Sequence, residues 1–202
     1  MSIFTDGSLY ARNKLGMVNI CLSAIGEAPL PSETVLDSVP IGTDAYIAKD
    51  IVHETMLEVQ SRGWFFNTED DYDLIPDNNG FIGVPLNILR IDSNVGTTSV
   101  IVKNGRLYDR GNKTFIFTTN QTLRVVFLVD YENLPINAYQ YIAYRAARKF
   151  QQKVIGSDNL NKFTVVDETD ALVNLQREEL QYNDYSLLET RITNRRSNPR
   201  GV

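Results

Sequence analysis

The strongest constraint in this sequence is a change of periodicity that occurs twice along the chain. Residues 72–131 are rich in β-branched and aromatic residues broken by turn formers, whereas apolar residues on either side recur every three or four positions. The outer spacing places side chains on one face of a helix, and the central composition is typical of short strands. The sequence therefore predicts helices, then strands, then helices, which is an α+β architecture.

Two helices are predicted before the strands. The first carries an apolar stripe from Leu15 to Ile25 and ends at Gly26. The second begins at Thr43 or Asp44, either of which can cap it, and ends before Gly63. The segment between these helices contains three prolines and few periodic apolar residues, so we expect a loop.

The predicted strands cover 86–92, 99–105, 106–110, 114–119 and 122–131. Asn104-Gly105 lies between two of them, and this dipeptide readily adopts the positive φ angles of a tight hairpin turn. Asn120-Gln121 predicts a second hairpin, between the last two strands. Five or six short antiparallel strands are expected to form a small sheet or sandwich.

Helices resume at Pro135, whose preset φ suits the first turn. The third helix ends at Gly156 and the fourth runs from Val165 or Asp167 to Tyr182. Beyond Asp184 the period is lost, which predicts an extended arm.

The simplest arrangement is a four-helix bundle with an antiparallel β-domain inserted between its second and third helices. The bundle would comprise 1–66 and 135–185, the β-domain 67–134 and the C-terminal arm 186–202. We expect the aromatic rings of Trp64 and Phe66 to pack the bundle against the β-domain, near Pro135, where the return helix starts.

Composition excludes several classes of site. Cys21 is the only cysteine and His53 the only histidine, so disulfide frameworks, cysteine metal clusters and most histidine-based catalytic sites are excluded. The sequence predicts no cofactor and no metal site. No run of 18 apolar residues occurs and the first residues do not resemble a secretion signal, so we expect no membrane insertion.

The acidic string at 69–73 is the best candidate for catalysis. Two carboxylates about 5 to 9 Å apart can act as acid and base on a glycosidic bond, and the candidates here are Glu69, Asp71 and Asp73. The alternative function that these residues would support is that of a glycan hydrolase. The competing interpretation is a solvated loop that opens the β-domain.

Two single residues are interpreted as structural. His53 and Glu54 are neighbours on a helix and therefore point about 100° apart, which does not make a catalytic pair. Cys21 lies near the apolar face of the first helix with no basic group placed to lower its pKa, so it is expected to be a packing thiol.

Charge is uneven along the chain. The net charge is −5, but no acid follows Glu189. Four arginines in that last segment form a basic arm: Arg191, Arg195, Arg196 and Arg200. Forked guanidinium donors bind carboxylates well, so a docking peptide is one hypothesis and an inert terminus is the other.

Four short strings occur in a fixed order along the chain: AIGEAP at 24–29, QSRGWFFN at 60–67, YDR at 108–110 and DYENLP at 130–135. Together they resemble the tail tubular protein A family, the head-to-tail adaptors of short-tailed bacteriophages (podoviruses). The resemblance covers about residues 10–185 and is weakest in the C-terminal arm.

This resemblance implies a virion structural protein and not an enzyme. Family members form a twelve-fold ring between the portal protein and the tail nozzle protein, with tail fibres attached near the lower junction. The implied fold is a helical bundle with an inserted β-domain, and no cofactor is implied. The implied location is the virion tail, reached from the host cytoplasm during assembly, and docking of the basic arm to the portal is a hypothesis from charge and position.

The charge of the chain suits a channel for DNA. Twelve copies at −5 each would carry about −60, and an acidic wall repels the phosphate backbone of passing double-stranded DNA. Glu54 and Glu58 are candidates for the wall of that channel.

Overall fold

A computed structural model describes residues 12–93, 99–156 and 158–197, with side chains described except at 158–164 and 185–197. The chain divides into two compact units, one formed by residues 1–55 and 131–202 and the other by residues 56–130. The described residues contain α-helices and antiparallel strands in separate stretches of the chain, so the fold class is α+β as predicted.

The first unit is helical. It contains α1 (Lys14–Ala24), α2 (Glu33–Asp37), the start of α3 (Asp44–Gln60), α4 (Ile136–Val154) and α5 (Asp158–Ser197). Helix α4 packs against both α1 and α5. Small residues on α4 allow this close approach, and they surround larger buried side chains. The buried face of α4 includes Ala138, Tyr141, Ile142, Ala143, Ala146, Ala147 and Phe150.

The ends of α1 follow from local chemistry. The side chain of Asn13 accepts a hydrogen bond from the backbone N–H of Gly16 at 2.8 Å and so caps the helix. At the other end the backbone N–H of Glu27 donates to the carbonyl oxygen of Leu22 at 3.0 Å, which closes the helix in a Schellman motif.

The second unit contains five strands: β1 (Thr68–Leu74), β2 (Ile88–Asp92), β3 (Val100–Lys103), β4 (Arg106–Asp109) and β5 (Gln121–Phe127). One sheet has the antiparallel order β1-β5-β2, and β3 and β4 form a separate hairpin. Its turn is the predicted Asn104-Gly105, with φ values of 54° and 71°. The core of this unit comprises Leu74, Ile82, Val100, Leu107, Phe117, Leu123 and Val125.

Three predictions about strands and loops are wrong. The segment after α1 is not entirely a loop, because Ser32 caps the short helix α2, whose Leu36 is buried. The acidic string is not a loop but most of β1. Residues 114–119 form only isolated bridges, because Phe117 is buried in the core and its backbone N–H donates to Gly80 at 2.8 Å.

The predictions for the C-terminal helix need two corrections. Helix α5 begins at Asp158, before the predicted start, and it continues to Ser197. The extended arm predicted from residue 186 is therefore wrong as far as Ser197. No glycine or proline occurs between Gly156 and Pro199, so nothing in that stretch interrupts the helix. Residues 198–202 lie outside the described residues.

Candidate functional site

The string at 60–67 forms a hydrogen-bonded corner between α3 and β1, and Gln60 is its first anchor. This side chain is fully buried. Its amide nitrogen donates to the carbonyl oxygen of Val129 at 2.9 Å, and its amide oxygen accepts from the backbone N–H of Val129 at 2.8 Å. A carboxamide supplies both a donor and an acceptor, so Gln60 satisfies the backbone of Val129 as a neighbouring strand would.

Asn67 is the second anchor of this corner and is also buried. Its side-chain oxygen accepts from the backbone N–H of Trp64 at 2.8 Å. Its side-chain nitrogen donates to the carbonyl oxygens of Gln60 at 3.0 Å and Phe127 at 2.8 Å. The end of α3, the start of β1 and the end of β5 are therefore held together through two carboxamides.

The roles of both carboxamides go beyond what the sequence predicts. A usable signal existed for Gln60, which follows Met56 by four residues and so falls on the apolar face of α3. A polar residue at such a position needs a buried partner. No comparable signal marks Asn67, whose partners lie across the fold.

The three residues predicted at the junction have the following surroundings. Trp64 is buried and its indole N–H donates to the carbonyl oxygen of Val59 at 2.8 Å. Phe66 is partly buried and meets Phe65 edge to face at 5.6 Å. Pro135 occupies the N-cap position, one residue before α4 begins. Their role in packing the two units together stays a prediction.

Arg90 of β2 holds the C-terminal end of α3. Its Nη1 donates to the carbonyl oxygens of Ser61 at 2.9 Å and Arg62 at 3.0 Å, and its Nε donates to Asp92 at 2.9 Å. A cation at this end suits the negative end of the helix dipole. The guanidinium also lies close above Gly63, where a Cβ atom would come within 3.2 Å of Nη2.

The YDR string has a structural role at the end of β4. Asp109 is buried and its carboxylate accepts from the backbone N–H of Asn112 at 2.9 Å and from its side chain at 2.7 Å. The backbone hydrogen bond from Asn112 is the main reason that the pKa of Asp109 lies below its ordinary value. The carboxylate is thus used to close a turn.

The two long C-terminal helices are joined by a group of ion pairs. Glu168 of α5 is 8% exposed and accepts from Arg145 Nη1 at 2.7 Å and from Arg148 Nε. Burial alone would raise the pKa of Glu168, but hydrogen bonds from the two arginines hold it below its ordinary value. This arrangement fixes α5 on α4.

The carboxylates of the catalytic hypothesis are exposed on β1. Asp73 accepts from the hydroxyl of Thr122 at 2.5 Å, and Asp70 forms an exposed ion pair with Arg124 at 3.2 Å. Asp70 and Asp71 lie between paired residues and together oppose a single residue of β5, which makes a β-bulge. The general acid of a glycosidase has a pKa that is raised by burial or by a neighbouring charge. The carboxylates of β1 are exposed, so they are not in a buried site of this kind.

Charged residues and a bulge are the usual protection of an edge strand against unwanted pairing. Strand β1 is at an edge of its sheet and has both features. The acidic string therefore has a sufficient structural explanation.

The remaining candidates do not form a catalytic group. His53 and Glu54 are both exposed. Cys21 is fully buried, and burial raises the pKa of its thiol, which fits a packing role. Among the described residues no cluster of three or more carboxylate, cysteine or histidine side chains could hold a metal ion.

The basic arm falls at the end of the described chain. Arg191, Arg195 and Arg196 lie in α5, where side chains are not described, and Arg200 lies outside the described residues. In the parts of the chain that the structure covers, no helix is both long enough and apolar enough to span a bilayer.

Comparison with known proteins gives the family of this chain. A family model described as tail tubular protein matches residues 15–185. The chain belongs to the tail tubular protein family. Its similarity to tail tubular protein A of Klebsiella phage KP34 is 27% identity over 183 residues, covering 90% of this chain and 95% of the relative.

Membership of the tail tubular protein family makes this chain a structural protein of a phage virion tail. The matched range also divides the candidate sites into those inside it and those beyond it. The corner at 60–67, the turn at Asp109 and the ion pairs of Glu168 all lie within the matched range, whereas the four arginines of the arm lie beyond it. The arm is therefore not part of what the family model describes.

Proposed function

We propose that this tail tubular protein is the head-to-tail adaptor of its phage, a twelve-fold ring between the portal protein and the nozzle protein. The observation that carries the proposal is similarity along nearly the whole chain to a protein named tail tubular protein A. Tail fibres attach near the junction of this ring with the nozzle. The chain assembles in the host cytoplasm and acts in the virion.

We propose a four-helix bundle with an inserted β-domain as the protomer of the ring. The separation of the chain into a unit of 1–55 with 131–202 and a unit of 56–130 supports this arrangement. The buried corner at 60–67 and the ion pairs of Glu168 support it too, because each restricts movement of the elements within its own unit.

The same ring would form part of the channel through which DNA leaves the head. Support comes from charge, because twelve copies would carry about −60 and repel the phosphate backbone. Asp50 and Glu54 are exposed on α3, with Glu58 four residues further along the same helix. Residues four apart share a helix face, so this face of α3 is acidic.

Imaging of a reconstituted complex tests the adaptor role. Purified chain is mixed with the portal protein of the same phage and examined by negative-stain microscopy and native mass spectrometry. We expect a collar of twelve copies on one end of the portal. A portal without added mass, at chain concentrations well above those in an infected cell, would contradict the proposal.

The basic arm is proposed to dock on the portal. Its position at the end of α5, beyond the family match, would let it vary with the portal of each phage. Deletion of residues 186–202 should weaken attachment, and a variant with all four arginines changed to glutamine should do the same without shortening the helix. Arg177→Gln on the exposed part of α5 is the matched control. Unchanged attachment of the glutamine variant would exclude docking through these charges.

A glycan hydrolase function is not proposed. The exposed carboxylates of β1 have structural uses, and the family is one of tail structure. Turnover of capsular or cell-wall polysaccharide that is lost in Asp71→Asn and Asp73→Asn variants would overturn this choice.

A further inference from the structure

The hairpin of β3 and β4 has two positive charges directly opposite each other. Lys103 pairs with Arg106 across the turn. Like charges at opposed positions destabilise a hairpin unless something compensates them. Each cation lies over an aromatic ring, Lys103 over Tyr108 at 5.0 Å and Arg106 over Phe81 at 4.6 Å. The rings hold the cations in place but leave their charge without an anion.

More positive charge follows along the same hairpin. Arg110 and Lys113 are exposed after β4, and the only acid in 100–113 is Asp109, whose carboxylate is used in its turn. Within the part of the chain that the structure describes, none of these four cations forms an ion pair.

An exposed apolar side chain lies beside these charges. Ile101 is 41% exposed and shares a face of β3 with Lys103, because successive side chains of a strand alternate between its two faces. We define the hairpin surface as Ile101, Lys103, Arg106 and Arg110. An apolar centre with a charged rim is the usual composition of a protein–protein interface.

A surface of opposite charge lies on β1. Glu69, Asp70, Asp71 and Asp73 are exposed there, and Ile75, directly after the strand, is 69% exposed. We define the β1 surface as the edge formed by these five residues, whose side chains project from both faces of the sheet. Glu69 and Asp71 form no ion pair among the described residues.

The two surfaces belong to opposite edges of the second unit. Strand β1 is one edge of the sheet β1-β5-β2, while β3 contacts β2, the strand at the other edge. A contact between two different edges is head-to-tail, and such a contact builds a ring when the rotation between successive copies closes, and an open filament otherwise. A contact of either surface with its own copy would bring like charges together.

We propose that the hairpin surface of one protomer binds the β1 surface of the next protomer. This inference rests on the proposed ring and names the surfaces that build it. The occupant is a second copy of this chain, because the same unit provides both the basic apolar surface and its acidic apolar complement. The charges on the exposed edge of β1 disfavour pairing with other strands. They would favour binding to the basic hairpin surface of the next protomer.

Charge reversal tests the pairing. We compare the wild-type chain with Lys103→Glu/Arg106→Glu, with Glu69→Lys/Asp71→Lys, and with the chain that carries all four changes. Self-association is measured by sedimentation velocity, alone and with the portal protein. Each double variant should associate at least about tenfold more weakly than wild type, because each places like charges across the contact.

Restoration of binding is the decisive part of the test. An equimolar mixture of the two double variants should assemble again, because in alternating order every contact joins an acidic surface of one variant to a basic surface of the other. The chain with all four changes should also recover assembly by itself. Wild-type association should weaken in about 1 M salt, where the screening length falls to about 3 Å.

Controls separate folding and total charge from the contact. All replaced side chains are exposed, so thermal unfolding of each variant should remain cooperative and within a few degrees of wild type. Glu33→Lys/Asp37→Lys on α2 changes the net charge by the same amount as the acidic double variant, at exposed positions of the other unit. This control should assemble like wild type.

The outcomes distinguish the inference from the proposed function. If wild type assembles and both double variants assemble equally well, the inference is wrong while the ring stands. If wild type stays monomeric both alone and with portal, both the proposed ring and the inference about its contact are wrong. If duplex DNA binds wild type but not Lys103→Glu/Arg106→Glu and assembly is unchanged, the hairpin surface holds phosphate and not a second copy.

Discussion

At the scale of single residues, this protein depends on polar side chains that replace backbone partners. Gln60 and Asn67 satisfy backbone groups of Val129, Trp64 and Phe127 where the ladder of β5 ends. Removing one partner of a buried hydrogen bond costs more than the bond contributes, because the remaining group has lost its water. The stability of the corner therefore depends strongly on Gln60 and Asn67.

Replacing Asn67 by alanine should lower the free energy of unfolding by about 2 to 3 kcal/mol, since it leaves a buried N–H and a buried carbonyl without partners. Urea denaturation followed by tryptophan fluorescence measures this, and Trp64 reports on the corner itself. Asn120→Ala is the control, because Asn120 is exposed. Equal effects of the two substitutions would show that the corner is not a buried network.

Gly63 offers a second residue-scale prediction. Its φ is +79°, and a Cβ atom would lie 3.0 Å from Val126 and 3.1 Å from Thr68. Gly26 has a similar φ of +83° but open space around it. Gly26→Ala should therefore cost about 1 kcal/mol from backbone strain alone, and Gly63→Ala should cost clearly more. Equal losses in thermal melts of the two variants would mean that the neighbours of Gly63 move aside without cost.

At the scale of elements, the position of α5 is set by contacts with α4. Both apolar and ionic contacts contribute, with Ala171 and Leu175 buried and Glu168 held by Arg145 and Arg148. A buried ion pair adds less net stability than its Coulomb energy suggests, but removing one partner leaves uncompensated charge. Loss of one partner from this group is therefore expected to cost more stability than the ion pairs themselves contribute.

Glu168→Gln should reduce the free energy of unfolding by about 2 to 3 kcal/mol at neutral pH, because two guanidinium groups lose their anion. Chemical denaturation measures this loss. Asp170→Asn, an exposed change on the same helix, should be close to neutral. A loss no larger than that of the control would show that the pairs are dispensable.

The same residue predicts a dependence on pH. The pKa of Glu168 is lower in the folded chain than in the unfolded chain, where it is about 4.3. Its contribution to stability is therefore complete above pH 4.3 and is lost as pH falls through the folded pKa. The stability difference between wild type and Glu168→Gln should shrink between pH 7 and about pH 3. A constant difference across that range would show that the charge of Glu168 is not what matters.

At the scale of the whole molecule, charge is separated between surfaces although the net charge is only −5. The hairpin surface is basic, whereas β1 and one face of α3 are acidic. In a ring, the basic and acidic surfaces would pair at the contacts between protomers. The remaining acidic side chains would face solvent or DNA. The chain can then adhere to its own copies without adhering to the genome.

The channel hypothesis predicts a gain of DNA binding when acids on α3 are reversed. Glu54→Lys/Glu58→Lys raises the net charge of each copy by four, so the charge of twelve copies would change from about −60 to about −12. Assembled complexes of this variant should retain duplex DNA in a gel-shift assay at low salt, whereas wild-type complexes should not. Glu33→Lys/Asp37→Lys is the charge-matched control. Equal retention by variant and control would place Glu54 and Glu58 away from the channel.

The sequence alone determined the features that depend on local chemistry. The apolar stripe that begins at Leu15 forms α1 (Lys14–Ala24), Asn104-Gly105 forms the predicted turn, and both the α+β class and the tail tubular protein family follow from the sequence. Each of these follows from side-chain period, from the φ preferences of a few residues or from strings that stand close together in the chain. No contact between distant residues had to be known.

Tertiary structure decided what depends on long-range partners. Strand β5 pairs with β1 and β2 and not with the neighbouring segment 114–119. In that segment the side chain of Phe117 is buried in the core and its backbone N–H donates to Gly80. The acidic string is a strand because β5 supplies its ladder, although its composition is typical of a loop. Gln60, Asn67 and Glu168 have roles only through residues far along the chain, and a period in sequence does not encode which distant group will satisfy a buried donor or charge.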